Sequence, residues 1–338
     1  MSTTTYPVEN FLVLPFRFES FNVPAFCVVS QPVLALYACG STTGVVLDSG
    51  ESVTHAAPVF EGCLVRHAIQ RIPIGGNNLT SFMLKFLQTR THTYREANRS
   101  SRAIAAHMKE KLAYVALDFE SESRKHSESS TLTKEYELPD GNLVPISKEQ
   151  FHCAEVLFNP ALANIPECRS CQRHQQFRST QCRTLHCLTH FRGGTRPSIS
   201  YLEHTPYLRH HIMNFTYPPL DTTSTDLHCP SVTCRAEGVH HALHAAITRC
   251  PTDIRKALGH TITLSGGNTL FPGLSERIKK EMRVLMPTVD MEVVAPKDNL
   301  TAWVGGSILA SLDTMKRMCI THEEYDDYGP GIVHRKCA

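Results

Sequence analysis

The chain has 338 residues, 41% of them hydrophobic and 20% charged, which is the balance of a soluble globular protein of about two domains and excludes a disordered or membrane-embedded one. A formal net charge of +2 creates no field that would draw it to nucleic acid or an anionic bilayer, so neither is expected as a partner. The first residues lack the basic-then-apolar order of a secretory signal and the thirteen cysteines are odd in number and scattered, so an intracellular protein with reduced thiols is expected.

In chain order, short β-branched runs bounded by turn residues predict strands at 26–29 and 45–47, the second followed by a tight turn, Asp48-Ser49-Gly50-Glu51-Ser52, and a returning strand. Leu79, Phe82, Met83, Phe86 and Leu87 recur at helical spacing after Asn78, a good N-cap. Ile104, Met108, Leu112 and Val115 form a second stripe of this kind. Leu274, Ile278, Met282 and Leu285 form a third, stopped by Pro287. Further strands are predicted at 261–264 and 291–294. The fold class is α/β or α+β, not all-helical.

Residues 164–235 are different material. They hold 8 Arg and no Lys, six of the thirteen Cys and seven of the nineteen His, with weak apolar periodicity. A segment that buries so little is expected to be an insertion, mostly loop or disorder. Cys168 and Cys171 have the spacing of a zinc knuckle, with His174, Cys182, His186, Cys187 and His190 as further ligand candidates, but no second C-x2-C completes the pattern. Zinc, a plain loop and recently coding sequence all remain open there.

Three glycine turns are candidates for chemistry. The hairpin turn at 48–52 exposes successive backbone N–H groups that can wrap a phosphate, with Asp48 placed to hold a cation through water; a plain hairpin is the alternative. Ser265-Gly266-Gly267 follows a strand and opens a helix, a place where backbone approaches ligand closely, or an ordinary connection. Gly305-Gly306, where a helix begins, reads equally as a ligand turn or as close helix packing.

Taken in order, these segments resemble the actin and actin-related protein family. The stretches that carry the likeness are Leu36-Tyr37-Ala38, Thr42-Thr43-Gly44, Val53-Thr54-His55, Lys109-Glu110-Lys111-Leu112, Tyr114 through Glu120, Tyr136 through Gly141, Asp253-Ile254-Arg255-Lys256, and the ending Ile332-Val333-His334-Arg335-Lys336-Cys337. The resemblance implies an RNase H-like fold of the sugar kinase, Hsp70 and actin superfamily, two lobes clamping ATP or ADP with Mg. The domains would then be a first-lobe remnant at 1–38, a second lobe at 39–163 and 236–301 interrupted by the insertion at 164–235, and a C-terminal first-lobe segment at 302–338.

The resemblance also implies roles. Gln31 would orient the attacking water and His55 polarise it; Asp48 would meet the Mg through water. Ser49, Gly50, Gly76, Lys109, Glu110, Gly266, Gly267 and Phe271 would line the nucleotide. Departures are as informative as matches: most of the family's first lobe, with its first phosphate hairpin, has no counterpart here, and the family's Asp-Ser-Gly-Asp-Gly reads Asp48-Ser49-Gly50-Glu51-Ser52. Catalysis of phosphoryl transfer is nearly all positioning and charge stabilisation. The expectation is therefore a cytoplasmic, cytoskeletal or scaffold protein meeting actin, actin-like or actin-binding partners, with weak or absent ATP hydrolysis; the alternative is a working ATPase completed by a longer form or a partner chain. Phe11, Leu12, Val13, Leu14, Phe16 and Phe18 are expected to cover apolar surface that the first lobe would have covered, and Ile308, Leu309, Leu312, Met315 and Met318 to border a partner-docking cleft or simply to pack inside.

Overall fold

The computed structural model describes residues 14–90, 99–128, 133–163 and 238–336. The chain divides into two units, Met1–Ile165 with Glu237–Ala338, and Pro166–Ala236; the second lies wholly outside the described residues, and with it the zinc-knuckle candidates Cys168 and Cys171.

Among the described residues ten strands run in chain order: β1 Ala25–Phe26, β2 Gly44–Ser49, β3 Thr54–Phe60, β4 Cys63–Leu64, β5 Gln70–Ile72, β6 Lys134–Glu137, β7 Leu143–Ile146, β8 Thr261–Ser265, β9 Glu292–Val294 and β10 Ile320–Thr321. The central sheet is mixed, in the order β4-β3-β2-β8-β9 with β5 also on β3. β2 and β3 form the hairpin, antiparallel, while β2, β8 and β9 are parallel. A strand buried on both faces reads as a continuous apolar run, as Val45-Val46-Leu47 does. Val45 and Leu47 face the large core, whereas Val46 faces the helix Gln31–Ala38 through Val33, Ala35 and Leu36.

The three helical stripes are present. Leu79, Met83 and Leu87 are buried in Gly76–Arg90, with Phe82 and Phe86 packed at their flank. Ile104 and Met108 are buried in Arg99–Leu112 with Leu112 packed at their flank, but the helix ends there and Val115, expected on the same stripe, is buried beyond it; Leu274, Ile278 and Met282 are buried in Leu274–Leu285. The first helix begins at Gly76, before the expected cap, because the Asn78 side chain turns back to accept from the Gly75 N–H at 3.0 Å. The predicted strand at 26–29 shrinks to Ala25–Phe26, which pair with β10; Val28 and Val29 are partly buried against the neighbouring cores.

Two junctions decide how the pieces meet. The helix Thr301–Ser311 lies against the helix Gln31–Ala38, and a Cβ on Gly305 would run into the Leu34 carbonyl. Gly305-Gly306 is thus a close-packing surface and not a ligand turn. At the second junction, the Val239 N–H donates to the Leu157 carbonyl at 2.9 Å, so the described stretches that end at 163 and resume at 238 are bonded directly to one another.

The N- and C-terminal segments build a second, smaller core. Leu14 and Phe18 are buried against Ile320, Tyr325, Ile332 and Val333, with Phe18 stacked on Tyr325 at 4.7 Å. Thr321 and Glu324 form a capping box at the start of His322–Tyr328, and Lys336 reaches the Cys319 carbonyl at 2.7 Å. Leu14 and Phe18 thus do cover apolar surface; Phe11, Leu12 and Val13 lie outside the described residues. Among the described residues no helix is long and apolar enough to cross a membrane.

Candidate functional site

The site grows from the C-terminal ends of the parallel neighbours β2 and β8. Because Asp48 pairs with Ser265 in the parallel register, the turns that follow these strands leave the sheet side by side. Gly266 makes this possible: its φ of +90° suits only glycine, and a Cβ there would strike the Ser49 carbonyl and come within 3.0 Å of Asp48 Oδ1. A third turn joins them. The Gly76 N–H donates to the Gly50 carbonyl at 3.0 Å and the Asn77 N–H to the Glu51 carbonyl at 2.7 Å, tying the N-terminus of Gly76–Arg90 to the hairpin tip.

Side chains lock the three turns. Asn268 Nδ2 donates to the Gly50 carbonyl at 2.6 Å and to Ser49 Oγ at 3.1 Å. Ser49 Oγ shares a 2.8 Å bond with Thr54 Oγ1, which donates to the Ile74 carbonyl at 2.7 Å. Asn268 is the site residue that sequence reasoning missed. Its only signal was position, an amide directly after a glycine pair where a turn demands local hydrogen bonds.

At the mouth of the hairpin, Gln31 Nε2 donates to Asp48 Oδ1 at 3.5 Å, and His55 stands opposite Asp48 across the β2–β3 pair. Burial raises the Asp48 pKa, opposed by the Ser265 hydroxyl. Burial lowers that of His55, helped by the Arg71 guanidinium, so the ring is neutral near pH 7. A neutral imidazole and a primary amide beside a carboxylate are groups able to hold and polarise a water molecule.

Lys109 is 7% exposed, and its ammonium has one long contact among the described residues, 3.5 Å to the Gly76 carbonyl. A buried ammonium with so little compensation favours an anion nearby. Together with the exposed Gly267 and the helix N-terminus at Gly76, this donor set fits a phosphate-bearing ligand, and Asp48 fits a hard cation held through water. Such a cation would supply charge neutralisation; Gln31 and His55 would supply the orientation of water. Among the described residues there is no cluster of three metal-ligating side chains.

The remaining implied residues divide. Glu110 is exposed one position from buried Lys109, at the edge of the buried face of its helix. Phe271 is 7% exposed and packs in the main core. Glu51 and Ser52, at the altered tip, are exposed. The actin family model matches residues 13–338, all but the first twelve positions, and the chain therefore belongs to the actin family.

Proposed function

We propose that this chain is an actin-like scaffold or cytoskeletal protein of the cytoplasm, acting through contacts with actin, actin-like or actin-binding proteins, with weak or absent ATP hydrolysis. The observation that carries this reading is an apolar row on the helix Thr301–Ser311 and its flanks. Leu300, Trp303, Val304, Ile308 and Leu312 are all exposed, Trp303 at 72%, while Thr301, Gly305 and Leu309 face inward. Contiguous exposed apolar side chains of this kind mark contact surfaces.

The sheet order, an antiparallel hairpin side continued by two parallel strands, supports the RNase H-like fold of the sugar kinase, Hsp70 and actin superfamily. In that frame, 39–163 with 236–301 form the second lobe, 1–38 and 302–338 belong to the first, 164–235 is an insertion, and this polypeptide supplies one of the two phosphate hairpins. Asp48, Ser49, Gly50, Gly76, Lys109, Glu110, Gly266, Gly267 and Phe271 would then hold ATP or ADP with Mg from one side. A triphosphate held from one side leaves water poorly positioned, and positioning supplies most of the rate.

A second reading, a working ATPase completed by a longer form or a partner chain, is favoured by the convergence of Gln31, Asp48 and His55 at one point. One experiment separates the two. The purified 338-residue chain is assayed for Mg-ATP-dependent thermal shift and phosphate release, alone and with added actin. Scaffold behaviour predicts nucleotide binding no more than weak, little shift, and no phosphate release above background in either condition. Release that appears with the partner establishes the second reading, and brisk release by the chain alone overturns the first.

A further inference from the structure

We propose that Cys27 and Cys319 form a reversible oxidation site, a dithiol that closes to a disulfide and ties the N-terminal segment to the C-terminal one. The argument starts from strand register. Ala25 faces Thr321 and Phe26 faces Ile320 in the antiparallel pair β1–β10. One further step of the same register sets Cys27 opposite Cys319, residues 292 positions apart in sequence.

The type of pair matters. The His322 N–H donates to the Pro24 carbonyl at 3.2 Å, which makes 24/322 a hydrogen-bonded pair. Alternation then makes 25/321 a non-bonded pair, 26/320 a bonded one, and 27/319 non-bonded. Opposed residues at non-bonded positions have Cα atoms about 4.5 Å apart, inside the range of about 4.4–6.8 Å that a disulfide spans. Opposed residues also project to the same face. Cys27 Sγ already reaches across, lying 3.7 Å from the Met318 carbonyl, the peptide unit that leads into Cys319.

Access is provided as well. A cavity of about 360 Å³ opens beside the pair, lined by Ala25, Leu312, Met315, Lys316, Cys319 and Thr321. Ala25, Cys319 and Thr321 are on the face to which alternation assigns Cys27. Both cysteines are partly exposed, unlike Cys153 and Cys250, which are buried.

The oxidant is hydrogen peroxide. One thiolate attacks the peroxide oxygen, the O–O bond breaks, and a sulfenic acid and water form. The second thiolate then attacks the sulfenic sulfur, the S–S bond forms, and the departing oxygen leaves as a second water. Two thiols lose two electrons and one peroxide gains them. The product covalently joins two segments that already meet through β1–β10 and the small core around Phe18 and Tyr325.

The test uses the full chain carrying Cys39→Ser and Cys63→Ser, so that the tryptic fragment 18–66 keeps a single thiol. Hydrogen peroxide is added in modest excess, remaining thiols are blocked, and a non-reduced digest is read by mass spectrometry. The expected result is fragment 18–66 linked to 318–335, reversed by dithiothreitol and absent after Cys319→Ser. Amide exchange across 320–333 should slow severalfold on oxidation and recover on reduction. Separate alkylation of both fragments overturns the proposal, as does equal linkage in denaturant, where the register no longer exists. The same linked fragment sought in the unaltered chain, with Cys39 and Cys63 blocked, keeps the test valid should the variants misfold.

Discussion

The turn cluster around Asn268 and the helix pair around Gly305 both rely on glycine to bring two backbones together, yet they end in opposite conditions. In the first, three turns from distant parts of the chain close on one another, and the side chains that bind them are buried. In the second, the helix Thr301–Ser311 has one face pressed to Leu34 and another carrying Trp303 and Ile308 into solvent. Close approach by itself therefore says nothing about completeness. A site finished within the chain has its polar groups bonded internally, whereas a site awaiting a partner keeps apolar area exposed.

The largest effect that would sharpen this contrast is Gly305→Val. The branched side chain would drive the helix pair apart and move Gln31, at the first turn of the opposing helix, away from Asp48. A loss of about 3 kcal/mol in denaturant unfolding is expected. A loss below about 1 kcal/mol would mean that the helices can separate without consequence.

Next in size is Asn268→Ala, which removes one of the two donors to the Gly50 carbonyl, leaving only the Gly76 N–H, while Ser49 stays bonded to Thr54. We expect a loss of about 1–2 kcal/mol. Nucleotide-induced stabilisation, wherever it is measurable in the parent, should vanish with it, because the hairpin tip loses its tie to β8.

A pH series probes the buried side of the comparison. His55, His152 and His240 all have pKa values lowered by burial, His240 to about 4. Their neutral forms are favoured by the fold, so the unfolded chain binds more protons below about 6.5, and stability falls as pH drops from there toward 4. Glu155 acts oppositely. Burial raises its pKa to about 7 in spite of Arg277 at 3.3 Å, so protonation of that group favours the fold as pH falls. Asp48, also raised by burial, acts the same way as Glu155, and three histidines against these two carboxylates predict a net loss in acid. His240→Phe should flatten the decline by about 1–2 kcal/mol, a figure reduced for partial solvent screening. Phenylalanine strands no partner there, because His240 Nδ1 has none among the described residues, and it can keep the stacking on Phe158.

The smallest expected stability effect is at Trp303. With 72% of its surface exposed, Trp303→Lys should change unfolding by no more than about 0.5 kcal/mol. Its effect should appear in association: capture of actin or an actin-like partner weakens while the melting temperature is unchanged. A large loss of stability instead would mean that the side chain supports this chain's own fold.

Much of this was legible in the residues. The stripes Leu79/Met83/Leu87 and Leu274/Ile278/Met282 gave helices because apolar spacing reports a buried face directly. The strand expected at 26–29 is shorter in the structure, ending at Phe26 opposite Ile320, since β-branched character says nothing of how far a neighbouring strand extends. Lys109 and Glu110 are neighbours in sequence, but helix geometry buries the first and exposes the second. Gly305 and Gly266 look alike as letters, and only their surroundings separate a packing contact from a turn that shapes a site.

The sequence by itself determined the family, the apolar faces of the main helices and the presence of glycine turns, because these depend on local spacing and on matched stretches of residues. Tertiary structure alone decided which turns meet. Asn268 reaches Ser49 across 219 positions, and Cys27 Sγ reaches the Met318 carbonyl across 291. Contacts at such separations are set by the register of parallel and antiparallel strands, where a slip of one residue would turn every side chain to the opposite face.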